Sequence, residues 1–131
     1  MDTLFIVALA NPRDQYHTLA LNLSQTYERY PLLMTDCVLL EVGNALARSF
    51  KLQAAEIIEE FQHSKEVAIV PLTPALFKEG LDLYRRHQDK SWGLVDCISF
   101  VVMQESGADT ALTFDQHFVQ AGFKALMRDP L

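Results

Sequence analysis

The chain has 131 residues, half of them hydrophobic, and carries 17 acids against 11 lysines and arginines for a formal charge of −6. Length and apolar content suit one compact domain over residues 1–131, and the acidic balance argues against a broad basic surface that grips nucleic acid. It leaves room for acids that collect cations. No stretch is long and apolar enough to span a bilayer, and MDTLFIVALANPRD puts an acid where a secretory leader carries basic residues. A cytoplasmic protein without a membrane segment is the expectation. Cys37 and Cys97 lack metal-ligand spacing and lie in apolar stretches, which reads as buried, reduced thiols and leaves a disulfide open.

In chain order, NPRDQYHTLALNLSQTYERY (11–30) reads as a helix with Pro12 near its first turn and Leu19, Leu21, Leu23 and Tyr27 as its apolar side. LLMT (32–35) is a short strand, and Asp36 a natural N-cap for a helix running to about Phe50. A second helix covers 52–63, with Glu56, Glu59 and Glu60 solvated, and VAIV (67–70) is a β-branched strand. Thr73 caps a helix that opens with Pro74 and runs to about His87, followed by the polar loop HQDKSWG. Residues 94–106 form an almost wholly apolar helix closed by Gly107. ADTALTF (108–114) is another strand, followed by the short helix DQHFVQA and a last extended piece, ALM. Short apolar strands alternating with helices imply an α/β fold with a mostly parallel sheet covered on both faces, where ligands gather beyond the carboxyl ends of the strands. No dinucleotide-binding or P-loop motif occurs.

Several acids lie where apolar residues belong. On a helix over 36–50, Glu41 shares a stripe with Val38, Val42, Ala45 and Leu46, which places it on the inward face; the plainer reading is an edge carboxylate reaching for water. Asp96 stands in the first turn of the apolar helix, flanked by Leu94, Val95, Cys97 and Ile98. The helix dipole favours an acid there, but does not account for one so enclosed. Asp115, in LTFDQHF, is sufficiently explained as an N-cap, and Asp2 as a solvated terminus. Asp36, Asp89 and Asp109 read as caps or loop acids. His17, His63, His87 and His117 show no zinc-binding spacing. Arg85, Arg86 and Lys90 form a small basic run, either a solvated helix end or a contact for a phosphate backbone.

Four stretches together, DTLFIVAL, VLLEVGNAL, DKSWGLVDCISFVVM and ALTFDQHFVQAGF, resemble the PIN-domain family, and within it the VapC-type ribonuclease toxins of toxin–antitoxin pairs. The likeness covers roughly residues 2–124, and LVDCISF followed by LTFDxxFxxAGF is its specific part. It implies a Rossmann-like three-layer fold with a central sheet flanked by helices, metal-dependent cleavage of RNA, homodimers, and an antitoxin partner. The family's four acidic positions fall on Asp2, Glu41, Asp96 and Asp115, as catalytic and metal-binding residues, and Thr113 matches an accessory hydroxyl. Four converging carboxylates repel unless protons or a cation intervene. An all-carboxylate set suits Mg²⁺ or Mn²⁺, with hydrolysis of phosphodiester bonds as the chemistry.

Members of the family carry several apolar residues before the first aspartate, forming the central strand. Here Met1 alone precedes Asp2, which reads equally as a truncated first strand or as a misplaced start with upstream residues lost; one hypothesis has LFIV (4–7) shift into the vacant position. Two other functions compete with a ribonuclease toxin. One is a degenerate, non-catalytic PIN module that binds RNA or protein. The other is a phosphoryl-transfer signalling domain, which would want its key aspartate at a strand end.

Overall fold

A computed structural model describes residues 1–128; the last three positions of the expected domain, 129–131, lie outside the described residues. The elements follow one another as α1 (Thr3–Ala10), α2 (His17–Thr26), β1 (Leu32–Thr35), α3 (Asp36–Ala45), α4 (Lys51–His63) and β2 (Val67–Val70). Then come α5 (Pro74–Arg86), α6 (Leu94–Ser106), β3 (Thr110–Ala111), α7 (Gln116–Gln120) and β4 (Lys124–Ala125).

Strand alternation divides the interior into two cores. Met34 and Leu112 face a cluster with Phe5, Ile6, Val38 and Val42, beneath α1–α4. Their neighbours Leu33 and Ala111 face the opposite cluster, with Leu83, Trp92, Phe100 and Phe118 from the α5–α7 side. Successive strand side chains point to opposite faces, so residues of β1 and β3 contribute to both cores. This is the expected three-layer α/β arrangement.

The expected continuous sheet is instead two parallel pairs, β1 with β2 and β3 with β4. Among the described residues no strand fills the space between β1 and β3. The Met1 amine donates to the Leu33 carbonyl at 2.7 Å, and the Asp2 N–H to that of Leu112 at 3.3 Å, so the chain start bridges the two pairs. LFIV does not take the strand position: residues 3–10 are helical, with Asp2 extended before them. Buried Phe5, Ile6 and Ala8 fix α1 over the first core, where a helix satisfies its own backbone polar groups.

Other boundaries move for local reasons. The helix expected over 11–30 begins at His17, because Asn11 and Asp14 side chains accept from the N–H groups of Arg13 (2.9 Å) and Tyr16 (2.8 Å), which favours turns. The helix expected to reach Phe50 stops at Ala45, and Phe50 itself is left-handed at φ 65° before α4. Its N-cap is Thr35 rather than Asp36, whose carboxylate accepts from Leu72 N–H at 3.0 Å. The strands of ADTALTF and ALM are only two residues each, at 110–111 and 124–125, although Leu126 and Met127 extend the pairing through N–H bonds to Ala111 and Thr113 carbonyls. Thr73, Pro74 and the left-handed Gly107 act as expected at their helix ends. Cys37 and Cys97 are buried free thiols, and no helix among the described residues is long and apolar enough to cross a membrane.

The closest helix contact is between α5 and α6 at Gly80, where an added Cβ would lie 2.5 Å from Ile98 Cγ1 and 3.4 Å from Ile98 Cα. Because Ile98 belongs to the helix that carries Asp96, Gly80→Ala should force the two helices apart. The expected loss is about 1–3 kcal/mol in chemical denaturation, despite alanine's better helix propensity.

Candidate active site

Asp96 is the third residue of α6, and its Oδ2 accepts the Gly93 N–H at 3.1 Å. Helix capping is therefore part of its role, and the bond fixes the carboxylate at the helix mouth. Asp115 caps α7, accepting from His117 N–H at 2.9 Å. That tight turn brings the His117 ring back over both acids: Nδ1 lies 3.1 Å from Asp96 Oδ2 and 3.3 Å from Asp115 Oδ1. On the far side of the ring, Nε2 is 3.1 Å from Ser91 Oγ. Ligand atoms of Asp96, Asp115 and His117 all lie within 4.8 Å of one another.

Asp2 joins this cluster through Thr113. The Thr113 hydroxyl, fully buried, donates to Asp2 Oδ2 at 2.8 Å and accepts the Asp115 N–H at 3.0 Å. Asp2 is itself buried, and desolvation pushes its carboxyl up to about 6, with the nearby Asp96 charge adding to the rise and the Thr113 hydrogen bond opposing it. Burial also brings the Met1 amine down to about 6.

Glu41 is exposed rather than on the inward face; the buried residues of α3 are Cys37, Val38, Leu39 and Val42, followed by Leu46 after its end, and Ala45 is exposed as well. It stands at the rim, where Oε1 accepts the Thr3 hydroxyl at 2.6 Å, next to Asp2 in the chain. Thus Asp2, Asp96, Asp115 and Thr113 come together, and Glu41 is tied to the start of α1 beside them.

His117 was the residue missed from the sequence, where histidine–histidine spacing was the criterion. The usable signal was D-x-H at a helix start, since an aspartate N-cap turns the residue two places on back toward its own carboxylate.

The donor set fits a divalent cation. Carboxylate oxygens predominate, one imidazole nitrogen stands among them, and burial, with the Asp96 charge nearby, holds the Asp2 carboxyl above its ordinary range.

A model of the PIN domain matches residues 1–124. The chain is 32% identical over 124 residues to "23S rRNA-specific endonuclease VapC20" of Mycobacterium tuberculosis, in both strain CDC 1551 / Oshkosh and strain H37Rv, covering 94% of this chain and 93% of the relative. The crystal structure of Mycobacterium tuberculosis VapC20, described as a sarcin-ricin loop cleaving toxin, is similar at TM-score 0.83 and 31% identity, covering 93% of each chain.

Two measurements follow from this geometry. The Asp2 carboxyl should titrate in metal-free protein with a midpoint near pH 6 by carbon NMR, and higher still in Thr113→Val. Since its folded value lies above the ordinary 3.8, the native state binds the extra proton between those limits. Stability from this group is full below about pH 4 and is lost as the pH rises through about 6. Thr113→Val should also cost about 1–3 kcal/mol by leaving a buried carboxylate without its donor, while Thr113→Ser should stay near the parent in thermal melts.

Proposed function

The chain belongs to the PIN-domain family, and from that premise and the acid cluster we propose that it is a metal-dependent endoribonuclease of the VapC toxin type. The single observation that carries the reading is the meeting of Asp96, Asp115 and His117 within 4.8 Å, with Asp2 wired to Asp115 through Thr113. Asp2, Asp96 and Asp115 come from sequence positions far apart, and capping accounts for Asp96 and Asp115 singly but not for the convergence of the three.

Asp2, Asp96 and Asp115 are the residues proposed to hold Mg²⁺ or Mn²⁺, with His117 beside them and Glu41 at the rim. Such an ion, when bound, supplies Lewis acidity for phosphodiester hydrolysis. The protein's own contribution is orientation. Gly93 N–H fixes Asp96, Thr113 fixes Asp2 against Asp115, and Ser91 holds the His117 ring. Thr3 steadies Glu41 at 2.6 Å. Cytoplasmic RNA is the proposed substrate, and the relatives' names make an rRNA loop the first to test. A cognate antitoxin and a homodimer complete the proposal.

The signalling alternative loses its footing because Asp96 lies within a helix rather than at a strand end. The competing reading is a non-catalytic PIN module that binds RNA or a protein partner. Titration calorimetry showing Mn²⁺ uptake with no turnover of any RNA would select it.

With a fluorogenic RNA and added Mg²⁺ or Mn²⁺, cleavage should stop in EDTA. Asp96→Asn should lose more than the roughly 10–100-fold typical of changes one shell away from a metal, while keeping the parent's circular dichroism. Cleavage that survives EDTA or the substitution would rule the proposal out.

A further inference from the structure

The acid cluster leaves a physical problem unsolved: a site built from carboxylates in a chain of charge −6 repels the phosphate backbone it is proposed to cut. The cation proposed there would offset the cluster's own charge but not that of the rest of the chain; a local cationic surface adds the further attraction, and one lies beside the cluster. At the C-terminal end of α5 a groove of about 520 Å³ is lined by Tyr84, Arg85, His87, Lys90, Ser91 and Trp92, among others. Resting on the ribonuclease reading, we propose that this groove is the subsite for a single-stranded RNA nucleotide flanking the cleaved bond.

The two kinds of contact that single strands need are both present. Arg85 is exposed, and Lys90 is partly so. Asp89 pairs with Lys90 at 3.1 Å in an exposed contact that a phosphate can exchange with. Tyr84 is 47% exposed and offers a ring face for a base. The His87 ring, tilted at 41° against Trp92 with centroids 4.7 Å apart, makes the groove wall aromatic as well as cationic.

The groove also leads to the acids. Ser91 forms part of its wall, and Ser91 Oγ is 3.1 Å from His117 Nε2, whose Nδ1 is 3.1 Å from Asp96 Oδ2. One side chain therefore separates the groove from the cluster. A strand held by Arg85 and Lys90 with a base against Tyr84 runs its next phosphate toward Asp96 and Asp115.

The test uses the full chain carrying Asp96→Asn, so that binding is read without cleavage, and a fluorescein-labelled single-stranded RNA of about 12 nucleotides. Anisotropy titrations are run over a series of KCl concentrations. Arg85→Ala and Lys90→Ala should each weaken binding and flatten the slope of log Kd against log [KCl] by about 0.7, the share of one phosphate contact on a single strand. Tyr84→Ala should weaken binding roughly tenfold with the slope unchanged, as lost stacking would. Lys65→Ala, an exposed cation far along the chain from the groove, should alter neither. If the unsubstituted chain cleaves RNA while Arg85→Ala and Lys90→Ala keep the full slope, the subsite is overturned alone, and an acidic protein segment becomes the better occupant. If the parent neither binds nor cleaves RNA, the subsite and the ribonuclease reading fall together.

Discussion

The Thr113 hydroxyl donates to Asp2, 111 positions away in the chain, and accepts from the Asp115 amide. It sits at 0% exposure, where neither partner can turn to water instead. Without it, Asp2 would be a buried carboxylate with a second acid close by, an arrangement the low-dielectric interior penalises heavily. With it, the carboxyl is held in place but left underneutralised. The start of α1 and the start of α7 are thereby locked together around a point that wants positive charge. Site geometry and fold integrity meet in one buried hydroxyl.

Around that point the molecule sorts its charges. Acids gather where α1, α6 and α7 begin, and cations gather where α5 ends, with His117 and Ser91 between them. The formal total describes neither neighbourhood. Field strength falls within about 8 Å at physiological salt, so an approaching polyanion senses the groove and the cluster in turn rather than their sum. The Phe100 ring supports both regions from below, edge-on to Trp92 at 5.1 Å and to Phe118 at 4.9 Å. The loop that carries Ser91 and the turn that carries His117 thus rest on one aromatic floor.

Much of this was legible in the chain because local chemistry dictated it. Thr73 followed by Pro74, and Gly107 after an apolar run, set helix ends through backbone requirements that tertiary context did not override. Asp96 announced itself by its apolar neighbours, and the family resemblance pointed to Asp2, Asp115 and Thr113. What failed to show depended on geometry beyond the window. Glu41 was placed inward by a stripe whose buried part is Val38, Val42 and Leu46, with Cys37 and Leu39 at its start, while Ala45 and Glu41 face out. Asn11 and Asp14 diverted their own backbone from a helix whose apolar pattern looked continuous. LFIV carried strand-forming residues but packed as a helix against the first core, where burial outweighed intrinsic preference. The split of the sheet was a matter of what lies beside β1 and β3, which no periodicity records.

Trp92 is the only tryptophan in the chain, 7% exposed, with its indole N–H given to Gln120 at 3.0 Å and the His87 ring tilted against it at 4.7 Å. Its placement makes the protein self-reporting. Emission comes from one fluorophore at the wall between groove and acid cluster, beside an imidazole that quenches when it carries a proton. Anything that seats in the groove or shifts the 87–93 loop alters the colour or brightness of that light, so occupancy can be followed optically without attaching a label.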